Sequence, residues 1–225
     1  MERQFKTFSI VAAGAIFIGL PVLFYTMGDV PRRSAFKEAL SVLTILAFML
    51  MLGQFYLARS NVTLLALFKP QVIQRVHKYI AYTAIGFFLL HPFLIVLPRY
   101  FEAGVKPIDA LITLLTTFDN LGVVLGLIAW GLMLVLGATA MFRMRMIKRF
   151  SIKYRNWRYF HGALTVGFVG VALWHSIELG RHTDMTLSAL MIALAAAGVA
   201  LLLRLYRDAI PLCTLKSVPT LKGAK

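Results

Sequence analysis

Six long apolar segments dominate this sequence and constrain its fold more strongly than any motif does. Apolar residues make up 60% of the 225 residues and charged residues only 15%, and the mean hydropathy is +0.78. Globular domains are roughly half apolar, whereas a helix that crosses a bilayer needs about 20 mostly apolar residues. The sequence therefore predicts an all-α, polytopic membrane protein built as a six-transmembrane-helix bundle. The predicted spans are Thr7–Met27, Ala39–Leu57, Val76–Leu97, Leu121–Met141, Tyr159–Leu179 and Met185–Leu205.

Positive charge is distributed unevenly between the two sides of this predicted bundle. The formal net charge is +15, and 18 of the 24 Lys and Arg residues lie near the N-terminus, the second and fourth loops and the C-terminal tail. Cytoplasmic segments carry such an excess, so we expect both termini in the cytoplasm. Membrane lipid, and no nucleic acid, is the partner that this charge predicts. Two shorter stretches, Asn61–Gln74 and Pro107–Phe118, are predicted to lie in the membrane interface.

The four histidines within the spans are the strongest functional signal. The third span holds His77 and His91, and the fifth holds His161 and His175, so both separations are 14 residues. Fourteen residues of helix rise about 21 Å and turn back to within about 40° of the starting direction. Each helix therefore presents two imidazoles on one face, one near each membrane surface.

This arrangement predicts two b-type haems stacked across the bilayer. The spans run in the same direction, so His77 and His161 would clamp the inner haem iron, and His91 and His175 the outer one. Iron held from both sides has no open position, which favours outer-sphere electron transfer. The single cysteine, Cys213, excludes disulfides, c-type haem attachment and cysteine-ligated iron–sulfur clusters; we interpret it as a reduced cytoplasmic thiol.

A transporter with a histidine relay is an alternative, since ionisable residues inside spans are functional by default. Such a relay predicts acidic partners in the spans, yet Asp and Glu lie almost wholly at the span ends. A membrane anchor is a third possibility, but it would need no aligned imidazoles. We expect no catalytic residues beyond the haem ligands.

Further residues have weaker signals. Basic side chains near each haem level could pair with propionates, namely Arg75, Lys78, Arg155 and Arg158 inside, and Arg99 and Arg181 outside. Phe168 lies halfway between the two histidines of its span and could sit between the haems, or it could be core packing. Gly86 and Gly170, each five residues before an outer histidine, predict close helix packing. His182 is interpreted as a solvated loop histidine, with help to an external acceptor as the alternative.

The segments His77-Lys78-Tyr79-Ile80 and Leu89-Leu90-His91-Pro92, with Tyr159-Phe160-His161 and Leu173-Trp174-His175, resemble the ferric reductase transmembrane domain. This superfamily includes ferric reductases, NADPH oxidases and the haem-binding subunit of the periplasmic methionine sulfoxide reductase system. The resemblance covers about Ala39 to Leu205 and implies a multi-pass protein of a bacterial inner membrane that moves electrons outward through two b haems. It divides the chain into residues 1–38 (first helix and outer loop), 39–205 (haem-binding domain) and 206–225 (cytoplasmic tail).

The resemblance also has a departure, because ferric reductases and NADPH oxidases usually continue into a module that binds FAD and NAD(P)H. The sequence has no such module after the sixth span. We therefore expect a separate donor, either a cytoplasmic flavin reductase with FMN or FAD, or membrane quinol. The expected acceptors are an extracytoplasmic reductase, a ferric chelate or oxygen. A haem-binding membrane subunit for a periplasmic methionine sulfoxide reductase is the alternative function.

Overall fold

Helices account for all the regular structure in the computed structural model, which describes residues 2–59 and 61–208. Within those residues there is no strand. Six of the helices are long and apolar enough to cross a membrane, so the predicted all-α bundle of six spans is confirmed. The helices are α1 (Glu2–Met27), α2 (Ala35–Gly53), α3 (Val62–Leu67), α4 (Pro70–Ala103), α5 (Pro107–Thr116), α6 (Leu121–Met141), α7 (Arg143–Arg149), α8 (Tyr154–Leu179) and α9 (Met185–Asp208).

The surface of the bundle is strongly apolar, as expected for a protein whose solvent is lipid. Large side chains on α1 are well exposed, with Phe8 at 70% and Val11 at 63% of their full accessible area. A water-soluble domain would bury such residues against a core. Together with the six apolar helices, this exposure makes the chain a multi-pass membrane protein.

Helix α4 is longer than the span predicted for it. It has 34 residues, about 51 Å at the usual rise, and therefore exceeds the roughly 30 Å hydrocarbon core of a bilayer. It begins at Pro70, whose ring fixes a helical φ at the first position. It ends at Ala103 and is followed by Gly104, which has a left-handed φ of 64°. Pro92 and Pro98 lie within the helix without ending it, as membrane helices tolerate.

The predicted interfacial segments have different outcomes. Pro107–Phe118 contains a separate short helix, α5. The structure divides Asn61–Gln74 between α3 and the first turn of α4, and the location of both stretches in the interface stays a prediction. The division falls at Phe68 and Lys69, which are extended; extended backbone is favoured for a residue before proline. Residues 206–208 of the predicted tail belong to α9, and the rest of the tail, with Cys213, lies outside the described residues.

A space separates the two helices that carry the histidines. Helix α6 packs most extensively against α8, and α4 packs against α2, α5 and α6. Within the described residues, α4 and α8 are not among the closely packed pairs. The core lies around Met49, Leu52 and Met133, which are fully buried on α2 and α6. Helix α6 therefore packs against both α8 and α4 and positions α8 across the space from α4.

Candidate functional site

One cavity of about 550 Å³ contains both His91 and His175 in its lining. Its volume falls within the range of roughly 300–1,000 Å³ that is usual for ligand and cofactor sites. The two imidazoles are close enough to interact electrostatically. Most of the lining is apolar, including Phe88, Phe168 and Met133.

His175 is held in one orientation by helix α6. Its Nδ1 lies 2.7 Å from the main-chain oxygen of Gly122. A carbonyl can only accept a hydrogen bond, so Nδ1 carries the proton and Nε2 remains the basic nitrogen. One turn further along α6, a Cβ on Gly126 would lie 2.6 Å from His175 Cε1. The absence of a side chain at Gly126 therefore makes room for the ring. Metal-binding histidines are commonly oriented by a bond of this kind from the other ring nitrogen.

His77 and His161 form the second pair, and they also interact electrostatically with each other. His77 lies next to the main-chain carbonyl of Gln54. The Trp157 ring stacks on His161 with centroids 5.0 Å apart and an interplanar angle of 19°. Because the first histidines of α4 and α8 pair with each other, and the second ones likewise, the two helices run in the same direction. The structure thus brings the four histidines together as two pairs at two levels.

Buried polar atoms without a hydrogen-bond partner concentrate at these pairs. Six such side-chain atoms occur among the described residues, apart from His182 Nε2, which lies 3.1 Å from a Glu38 carboxylate oxygen. They are Gln54 Oε1, His77 Nδ1, Trp130 Nε1, Arg143 Nε, Trp157 Nε1 and His161 Nδ1. Native proteins leave few such atoms unpaired, and each one calls for an explanation. Five of the six surround His77 and His161, so the residues of the inner pair fit a polar prosthetic group such as a haem, whose iron imidazoles could ligate and whose carboxylates the N–H groups could bind.

The ferric reductase like transmembrane component family matches residues 43–172. The match covers more than half of the chain and runs from α2 into α8. The chain belongs to this family. The matched region contains His77, His91 and His161, and His175 follows three residues after it.

A relative of this ferric reductase-like chain is an uncharacterized protein of Archaeoglobus fulgidus. The two are 38% identical over 164 residues, which is 73% of this chain and 87% of the relative. No solved structure matches the chain.

The predicted outer residues of this ferric reductase-like domain converge on the His91–His175 cavity. Arg99, Arg181 and Phe168 all line it, and Phe168 is only 4% exposed. Sequence reasoning missed Arg33 and Lys37, which line the same cavity. Arg33 lies just before α2 and Lys37 in its first turn. Both lie on the side of the bundle that carries Arg99, which was the available signal.

The predicted inner cations are less closely associated with their pair. Arg75 is exposed, and the Lys78 ammonium lies 5.4 Å from the Tyr82 ring on its own helix. No described contact joins Arg75 or Arg158 to His77 or His161, so their assignment to propionates remains a prediction. Arg155 is exposed.

Arg143 is the cation that does act on the inner pair, and sequence reasoning missed it. Its charge acts on His161, and its guanidinium lies 5.3 Å from the centroid of the Trp157 ring. In the sequence it is one of seven basic residues in a single loop, and nothing local distinguishes it from the others.

His182 is not a solvated loop residue, because the fold buries it to 7% exposure. Its ring centroid lies 4.7 Å from that of Tyr25, and its Nε2 lies 3.1 Å from Glu38 Oε2. Arg33 and Tyr25 also bind the Glu38 carboxylate. Burial lowers the pKa of His182 below its ordinary value, although the Glu38 carboxylate opposes this change. The cluster ties α1 and α2 to the loop before α9 at the edge of the cavity.

Proposed function

We propose that this protein is a di-haem cytochrome b that carries electrons across the membrane. The observation that supports this most directly is the pairing of His91 with His175 in one cavity, repeated by His77 and His161 one level away. Haem at each pair would supply one-electron carriage. The equal spacing of 14 residues on two helices of the same direction accounts for both levels at once.

The protein's own residues would fix the ligands and exclude water. The Gly122 carbonyl orients the His175 ring so that Nε2 is the nitrogen available to iron. The apolar lining that includes Phe88 and Met133 would keep the outer level dry. Arg99 and Arg181, at the same cavity, would bind propionate carboxylates.

For direction and partners, we propose electron flow from the cytoplasm to an extracytoplasmic acceptor. The excess of basic residues in alternate loops supports cytoplasmic termini. A cytoplasmic flavin reductase or membrane quinol would act as the donor, and a ferric chelate, oxygen or a periplasmic reductase as the acceptor. The haem-binding subunit of a periplasmic methionine sulfoxide reductase is the alternative, and co-purification of such a reductase would distinguish it.

The test is a visible spectrum and a haem stoichiometry on purified protein. We expect a Soret band, a reduced α band of b type and two haems per chain. Replacing any one of His77, His91, His161 or His175 by alanine should remove one haem and leave the other.

Each ligand variant is the control for the other level, because the unaltered pair keeps both of its histidines. The haem at that unaltered pair should be retained. Two haems per chain in all four ligand variants would refute the proposal.

A further inference from the structure

Five of the six unpartnered buried atoms belong to residues around the inner pair. We call this group the Arg143 cluster: Gln54, His77, Arg143, Trp157 and His161. The members are linked by contact. His77 lies beside Gln54 and interacts with His161. His161 stacks on Trp157, and Trp157 lies below the guanidinium of Arg143.

Arg143 differs from the other cations of its segment in where its guanidinium lies. The group sits 5.3 Å from the Trp157 ring centroid and 5.9 Å from that of Tyr154. The Tyr154 and Trp157 rings are themselves stacked, with an interplanar angle of 17°. This aromatic column orients Arg143 toward the histidine pair, whereas Arg145, two residues later, is exposed.

The buried Nε of Arg143 has no acceptor within the described residues. Five described carboxylates have partners, and none of these partners is Arg143: Glu2 binds Lys6, Glu38 binds Arg33, Glu102 binds Lys37, Glu178 accepts from Trp174, and Asp184 accepts from the Leu187 amide. Arg143 is partly exposed as a whole, but a buried N–H such as its Nε is costly unless an acceptor satisfies it. Its fork of donors matches the two oxygens of a carboxylate, and the unpartnered Nε1–H of Trp157 is a second donor in the same cluster.

We propose that Arg143, assisted by Trp157, binds a carboxylate of the prosthetic group held by His77 and His161. This inference rests on the proposed function. It assigns to Arg143 the role for which the sequence suggested Arg75 and Arg158. A phosphate of an anionic lipid offers similar oxygen acceptors, but a headgroup would favour the exposed cations of α7 over a buried Nε.

The decisive experiment compares haem with its dimethyl ester, in which both carboxylates are blocked. Both are titrated into full-length chain prepared without haem in the His91→Ala background, which leaves only the inner pair. The chain with Arg143 should prefer haem over the ester by roughly tenfold or more, as expected for a charge-assisted hydrogen bond. Arg143→Gln should abolish that preference, and Arg145→Gln should retain it.

A second readout does not depend on affinity. Removing a cation near the iron disfavours the reduced, more electron-rich state, so Arg143→Gln should lower the midpoint potential of the inner haem. Arg145→Gln should leave the potential unchanged. Arg143→Lys keeps the charge but not the fork, and it should restore the potential more fully than the haem-over-ester preference.

The lipid source is tested by repeating both titrations in phospholipid-free detergent and in nanodiscs that contain phosphatidylglycerol. If Arg143→Gln weakens binding of this lipid while the haem-over-ester preference persists, a lipid phosphate is the ligand and the inference is wrong. Failure of the His91→Ala chain itself to bind haem would instead refute the proposed function, and this inference with it.

Discussion

Gly126→Ala tests the proposed site with the smallest possible change. A Cβ at this position would lie 2.6 Å from His175 Cε1 and 2.8 Å from His175 Nδ1, whereas ordinary contacts begin at 3.4 Å. The imidazole must therefore move by about 0.8 Å or α6 must move away from α8. Either movement stretches the 2.7 Å bond from His175 Nδ1 to the Gly122 carbonyl. Loss of such an orienting bond typically costs 10- to 100-fold in metal affinity.

The expected result is a selective loss at one haem. Gly126→Ala should weaken or remove the outer haem, measured as a fall from two haems toward one per chain and as faster haem loss to an acceptor protein. Gly131→Ala is the matched control, because it lies on the same helix and a Cβ there meets nothing within 4 Å. Both changes raise helix propensity similarly, so the difference between them reports on His175.

The reasoning would be refuted by a Gly126→Ala protein that keeps two haems with unchanged rates of loss. It would also be refuted if Gly131→Ala caused an equal loss, since the effect would then come from α6 as a whole.

Two further predictions concern the packing and the pH dependence of the bundle. A Cβ on Gly162 would lie 1.9 Å from the Tyr206 hydroxyl, which donates to the Arg158 carbonyl. Gly162→Ala should therefore lower the free energy of unfolding by about 1–3 kcal/mol. Gly167→Ala is the control and should not lower it, because a Cβ at Gly167 meets nothing within 4 Å. Equal thermal stability of the two variants would contradict this. Burial lowers the pKa of His182 in the folded protein. On acidification this histidine is therefore protonated in the unfolded chain at a higher pH than in the folded one, so the free energy of unfolding should fall as the pH drops through about 6.5. His182→Gln should flatten that part of the profile; an unchanged slope would assign the loss to other groups.

The transmembrane helices could be predicted from the sequence, but most of their ends could not. Leu121–Met141 agrees at both ends, where Asn120 caps the helix by accepting a bond from the Val123 amide. The ends of α4 were missed because hydropathy marks the part of a helix that lipid requires. The helix itself ends where the backbone conformation changes, at Pro70 and Gly104, so α4 extends beyond the apolar segment at both ends.

Within the site, the spacing of residues along one helix could be interpreted from the sequence, whereas contacts between helices could not be predicted. The interval of 14 residues correctly anticipated which histidines would meet, although their role as ligands stays a prediction. The glycines were assigned wrongly, because a Cβ on Gly86 or Gly170 meets nothing within 4 Å. The close approaches are at Gly122 and Gly126 of α6, a helix without histidine, which only the tertiary packing reveals.

The hydrogen bond at His175 Nδ1 favours a role for this residue as a metal ligand over a role in a proton relay. A relay through imidazole needs a proton acceptor at one nitrogen and a donor at the other, with both able to exchange. Nδ1 of His175 is instead held by the main-chain oxygen of Gly122, and a peptide carbonyl does not take up a proton at physiological pH. That bond blocks one nitrogen for proton transfer and presents the other as a fixed lone pair, which is the requirement of an iron ligand. The histidine-relay alternative is therefore the less consistent one with the way α6 holds this ring.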